Sequence, residues 1–127
     1  MIWKKVATSM KFISDAGGND RQYPLGVEDW GQRVKEVQVA MLITDRSSAN
    51  AKAGLKVLDG VSVDSSWFAV HSTPIASATF AALPLTARGT TGSTPPIMPF
   101  FVPVVLAGGV AAQEWFVADV YVGGKPF

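Results

Sequence analysis

The strongest pattern along the chain has a period of two. Residues 34–45 read VKEVQVAMLITD. Val37, Val39, Met41 and Ile43 fall on one side of an extended chain, and Glu36, Gln38, Ala40, Leu42 and Thr44 on the other. Successive side chains of a strand point to opposite faces, so this alternation predicts a half-buried strand. Residues 113–122 (QEWFVADVYV) repeat it. Phe116, Ala118, Val120 and Val122 share one face; Trp115, Val117, Asp119 and Tyr121 share the other. Shorter strand candidates lie between: 53–59, with Asp59-Gly60 as a turn before 61–63; 67–71; 78–85, ended by Pro84; and 100–107, interrupted near Pro103. Residues 88–96 (RGTTGSTPP) read as a polar loop, Gly108-Gly109 as a turn, and Gly123-Gly124 as the end of the last strand. Helical signal is confined to one turn's worth at 47–54, with no apolar stripe. Short strands at turn spacings of about 8–12 residues predict an all-β fold, an antiparallel β-sandwich or jelly-roll-like fold of about seven to nine strands. Residues 1–32 are less regular, with Gly17, Gly18, Gly26, a Tyr23-Pro24 step and Trp30. They predict an irregular N-terminal arm, or a strand followed by a long loop, ahead of a sandwich at 33–127, the whole forming one domain.

Composition narrows the chemistry. The 127 residues are one domain's worth. Lys plus Arg is 11, Asp plus Glu is 10, and the net charge is +1, which argues against a nucleic-acid binder working by bulk charge. There is no cysteine and one histidine, so disulfide scaffolds, thiol catalysis and zinc fingers are out. The apolar run 97–112 is too short for a membrane helix and holds two prolines and a glycine pair. Residues 1–13 lack the apolar core of a signal peptide, so a chain made in the cytoplasm is expected.

No catalytic constellation stands out. A Ser-His-Asp triad would need His71 with Ser66 or Ser72 and Asp64, yet no nucleophile-elbow pattern surrounds those serines. Asp59, Asp64, Glu114 and Asp119 are the carboxylates available for hydrolysis, with Asp119 between Trp115 and Tyr121 on one strand face. No glycine pair sits in a nucleotide-binding context, and Asp and Asn are too scattered for an EF-hand. No cofactor or metal is expected. Lys4, Lys5 and Lys11 beside Trp3 and Phe12 make a weak nucleic-acid signal; an arm docking on a partner fits them equally.

Surface hydrophobicity remains. Four tryptophans and seven phenylalanines are many for a small sandwich, and between Ser72 and Gln113 the only charged side chain is Arg88. Exposed apolar patches mark protein contacts, whose cores are poor in charge and anchored by aromatics. The interface candidates are Trp3, Lys4, Lys5, Trp30, Trp115, Tyr121 and Phe127. The competing reading buries both faces of the charge-poor strands within one chain.

The alternating strand at 37–44, the Ser-Ser-Trp-Phe-Ala-Val segment at 65–70, the polar loop at 88–96, the aromatic strand at 99–106 and the Gly-Gly turn into a terminal strand together resemble the small β-sandwich decoration (cement) proteins of tailed-phage capsids. The resemblance implies a non-enzymatic virion protein on the capsid exterior. It would form a dimer or trimer, bind the major capsid protein, and carry no nucleic-acid or membrane partner. Two other functions compete. A carbohydrate- or ligand-binding module would use Trp67, Trp115 and Tyr121 as stacking platforms. A small hydrolase would use Asp119 and Glu114, although these lie on opposite faces of a strand or close to it.

Overall fold

The computed structural model describes residues 2–63, 67–69, 75–80, 83, 85–91 and 97–127. Nine strands lie among them, in two antiparallel sheets facing each other: β1 (Ile2–Ile13), β2 (Arg21–Pro24), β3 (Val34–Arg46), β4 (Lys52–Gly60), β5 (Phe68–Ala69), β6 (Ile75–Thr79), β7 (Leu85–Thr90), β8 (Phe100–Gly108) and β9 (Trp115–Pro126). One sheet, here sheet A, runs β1-β9-β3-β7; the other, sheet B, runs β2-β8-β4, with β4 pairing β6 along its first half and β5 near its end. Strands one to four alternate between the sheets, as do seven to nine, and this is the jelly-roll path.

The two alternating segments form the middle of sheet A, and their faces fall as the period predicts. Val37, Val39, Met41 and Ile43 of β3 are buried, as are Phe116, Ala118, Val120 and Val122 of β9. Across the sandwich they meet Leu55, Val57, Phe101 and Val105. Burying such side chains contributes on the order of 1.5–3 kcal/mol each.

Several boundaries differ from expectation. Of the two readings for the first residues, the structure has the strand. Residues 2–13 form the edge of sheet A, paired with β9 from Ile2↔Gly124 to Ile13↔Trp115; Phe12 inserts fully into the core. An irregular segment does follow, from residue 14 to the 3-10 turn Gly31–Arg33, with β2 inside it. The candidate at 78–85 is displaced: β6 ends at Thr79, Phe80 is buried outside a strand, and β7 takes Leu85–Thr90 out of the expected polar loop. There Ala87 faces the core while Thr86, Arg88 and Thr90 are exposed. Period two is present, but alanine and glycine make its inner face faint.

Pro103 does not interrupt β8. Its carbonyl accepts the Leu25 N–H at 2.9 Å. A strand residue's N–H and C=O point to the same side, so the missing donor faces the place where β2 has ended, and the ladder to β4 is continuous from Lys52↔Gly108 to Gly60↔Phe100. Gly123-Gly124 does not end β9, which runs on to Pro126 between β1 and β3. A Cβ on Gly124 would lie 2.5 Å from Trp30 Cζ3 and closer still to Val34 Cγ1. The glycine is there to admit the indole.

β8 is buried on both faces. Phe101, Val105 and Ala107 join the central core, while Val102, Val104 and Leu106 form a second cluster on the outer side of sheet B, packed with Leu58 and Trp67. For this strand the missing charge is satisfied within the chain, as the competing reading of the charge-poor stretch had it.

Candidate functional site

Sheet A leaves its outer face open. The register lines Lys5, Tyr121, Ala40 and Arg88 across β1, β9, β3 and β7, with Asp119, Leu42 and Thr86 in the next row. Ala40 is the small residue between large ones, so the face dips along β3. The result is a groove of about 300 Å³. Its floor is Ala40 and Leu42; Trp3 and Tyr121 wall one side, Thr86 and Arg88 the other. Arg88 is exposed and makes no hydrogen bond or ion pair among the described residues. Trp3 is 41 % exposed.

Asp119, the singled-out carboxylate, lies beside this groove and is occupied. Its Oδ1 accepts the Ser9 N–H at 2.7 Å, and Lys5 Nζ lies 3.6 Å from Oδ2. β1 shifts register between Lys5 and Ala7 and again between Ala7 and Met10, and Ser9 has φ 46°. Asp119 therefore clamps a bulge in β1. Glu114 immediately precedes β9 and accepts a hydrogen bond from Ser47 Oγ. Five residues of nearly extended chain separate the two by roughly 15 Å, too far to share one bond. Asp59 is buried and accepts the Met98 N–H at 3.1 Å. His71, Ser66, Ser72 and Asp64 lie outside the described residues. No three His, Cys, Asp or Glu side chains among the described residues gather as metal ligands do.

The other interface candidates divide. Lys4 stays exposed on β1 but donates to both oxygens of the buried Glu28, at 2.6 and 3.0 Å, tying the edge of sheet A to the segment beside β8. Lys5 Nζ stands 5.7 Å from the Tyr121 ring centre. Trp30 meets Phe101 edge-on, ring centres 4.7 Å apart, and packs on the core. Trp115 is half-buried under Lys11, whose Nζ lies 4.4 Å from its ring centre. Phe127 is 80 % exposed. The lysine–aromatic stretch at 3–12 is thus dispersed: Lys4 is tied to Glu28, Lys5 and Lys11 sit over separate rings, and Phe12 is core. Nor do the three sugar platforms meet. Trp67 covers sheet B, and Trp115 lies six positions along β9 from Tyr121. The partner Tyr121 does have, Trp3, comes from β1 by a pairing that no local sequence signal records.

The two ends of the sandwich differ. The starts of β1, β3 and β8, the ends of β4 and β9, and segment 25–33 share one end. It carries Val27, Val61, Val63 and Phe127, all largely exposed, with exposed Asp29, Arg33 and Lys125. The opposite end has one largely exposed large apolar side chain among the described residues, Val110, and is otherwise rich in polar groups. There Asp15 Oδ1 accepts N–H bonds from Gly17 and Asn19, and Ser14, Ser47, Gln113 and Glu114 bond one another and nearby backbone.

No family model and no curated protein matches this sequence. Solved structures do match in shape. The crystal structure of the infectious bursal disease virus VP2 subviral particle superposes with a TM-score of 0.67 at 8 % identity, over 98 % of this chain and 32 % of that one. A CBM4 structure gives 0.52 at 13 % identity, over 91 % and 82 %. The carbohydrate-binding module TmCBM61, solved with β-1,4-galactotriose, gives 0.50 at 12 % identity, over 91 % and 69 %. This chain spans about a third of the VP2 chain's length. The fold is that of a β-sandwich shared by a viral capsid protein and by carbohydrate-binding modules.

Proposed function

We propose that this chain is a structural virion protein, a decoration or cement protein that seats on the outside of a capsid lattice and holds neighbouring units together. The observation carrying this reading is the apolar end. Val27, Val61, Val63 and Phe127 stand exposed there beside Asp29, Arg33 and Lys125. An apolar centre with a charged margin is the composition of a protein–protein contact. Each such side chain, once covered, would contribute on the order of 1.5–3 kcal/mol, and repetition over symmetric copies multiplies the effect through avidity. The jelly-roll path recurs in capsid domains, and the VP2 likeness extends over 98 % of the chain. In this reading the chain does no chemistry; its partners are further copies of itself, as a dimer or trimer, and the major capsid protein. The test is light scattering of the purified chain over a concentration series, followed by electron microscopy of its mixture with capsid shells. Self-association and a regular coat on the shells are expected. A chain that stays monomeric and leaves the shells bare overturns the reading.

A second reading, a carbohydrate-binding module, is favoured by one observation: the groove sets a wall of two aromatic side chains, Trp3 and Tyr121, against polar Thr86 and Arg88, the arrangement that holds a sugar ring by stacking on one side and hydrogen bonds on another.

A further inference from the structure

We infer that the sheet A groove binds a pyranose bearing a carboxylate, with Arg88 as the residue that reads the acid. The inference rests on the second reading above and narrows it to one ligand class.

Three observations carry it. The first is shape. At about 300 Å³ the groove stands at the small end of ligand sites, room for a sugar ring or two. The second is the lining. Trp3 and Tyr121 come from paired neighbours, β1 and β9, and wall the same side of an apolar floor of Ala40 and Leu42. Aromatic faces take up the C–H side of a pyranose while leaving its hydroxyls to hydrogen-bond elsewhere, and Thr86 stands opposite. The third is charge. Of the ionised groups around the groove, Asp119 and Lys5 face each other at 3.6 Å, and Asp119 also takes the Ser9 N–H. Arg88, the third, has no ion pair among the described residues. It is also the only charged side chain from Ser72 to Gln113. A guanidinium offers a planar fork of N–H donors that matches a carboxylate in two parallel bonds. A neutral sugar would leave that fork unused; a uronic or sialic acid would fill it.

The experiment follows tryptophan fluorescence, Trp3 lying in the groove, as the full chain is titrated with an oligogalacturonate, with a sialyl-lactose and with a neutral galacto-oligosaccharide. At least one acidic sugar should bind about ten-fold or more tightly than the neutral one, with the preference fading in high salt. Arg88→Gln should erase the preference while leaving weak neutral binding, and Arg88→Lys should restore part of it. Tyr121→Ala should weaken every sugar alike, with an unchanged circular dichroism spectrum showing that it folds. Equal binding of acidic and neutral sugars overturns the role of Arg88 and leaves the carbohydrate reading standing. No saturable binding of any sugar overturns both, and so does capture of an acidic peptide at the groove with no sugar bound.

Discussion

A methyl group added at position 124 has nowhere to go. It would meet Val34 and the Trp30 ring at once, inside a strand paired on both sides. Gly124→Ala should therefore cost about 1–3 kcal/mol in denaturant unfolding, the usual range for overpacking a filled site. In the sequence, Gly123-Gly124 reads as a strand end because two glycines weaken a strand. What the sequence does not display is the indole arriving from a loop that folds back. For the same reason Trp30 reads as a surface anchor when it is a core contact. At the polar end, the Asn19 backbone N–H holds the Asp15 carboxyl below its ordinary value of 3.8, with the Gly17 N–H adding to it. A depressed carboxyl stabilises the folded chain when ionised. Its contribution is complete above the ordinary value and lost as pH falls through the lower folded one. Wild type should melt above Asp15→Asn at neutral pH, and the gap should close as the pH drops below about 4. A gap that holds constant down to strong acid would dissociate the carboxylate from the turn.

Two strands show how much an element owes to its neighbours. β8 is apolar at both parities, and a strand of that kind is buried on both faces. The sequence carries that signal, but not which chain supplies the cover. Here Leu58 and Trp67 pack on the outer side. Val104→Ala should then cost about 1–3 kcal/mol in thermal or denaturant unfolding, as a core deletion does; a valine facing solvent would cost no more than about 0.5 kcal/mol. The bulge in β1 is held by a single carboxylate. Removing it in Asp119→Ala strips the Ser9 amide of its acceptor, at roughly 1–2 kcal/mol. Hydrogen exchange at residues 7–10 should quicken while the β3–β9 ladder keeps its protection. In the sequence Asp119 falls on the outer face and has two accounts, an active-site acid or a surface carboxylate paired to a Lys or Arg; the structure shows it paired, with Lys5. The bulge it holds comes from a register shift against a strand about 110 residues away, which no local pattern announces. β7 is illegible for the opposite reason: an inner face of alanine and glycine is too weak a stripe to separate from a loop.

At the scale of the molecule, the jelly roll was legible because both central strands of sheet A alternate so cleanly, and everything else had to pair with them. The contrast between the ends was not, since Val27, Val61, Val63 and Phe127 are scattered in sequence and only the topology gathers them. Replacing Val61 and Phe127 together by serine should leave the unfolding free energy within about 0.5 kcal/mol of wild type, as exposed sites do, while the self-association proposed above, followed by light scattering, is lost. The bulge in β1 has a last consequence at this scale. β1 is the free margin of sheet A, a long row of N–H and C=O groups that another chain could copy. The left-handed turn of Ser9 breaks that row at its middle, and Asp119 keeps it broken. Copies of this chain brought side by side can therefore touch without zipping into ribbons. Straighten the bulge, and the same crowding would favour fibres over separate molecules.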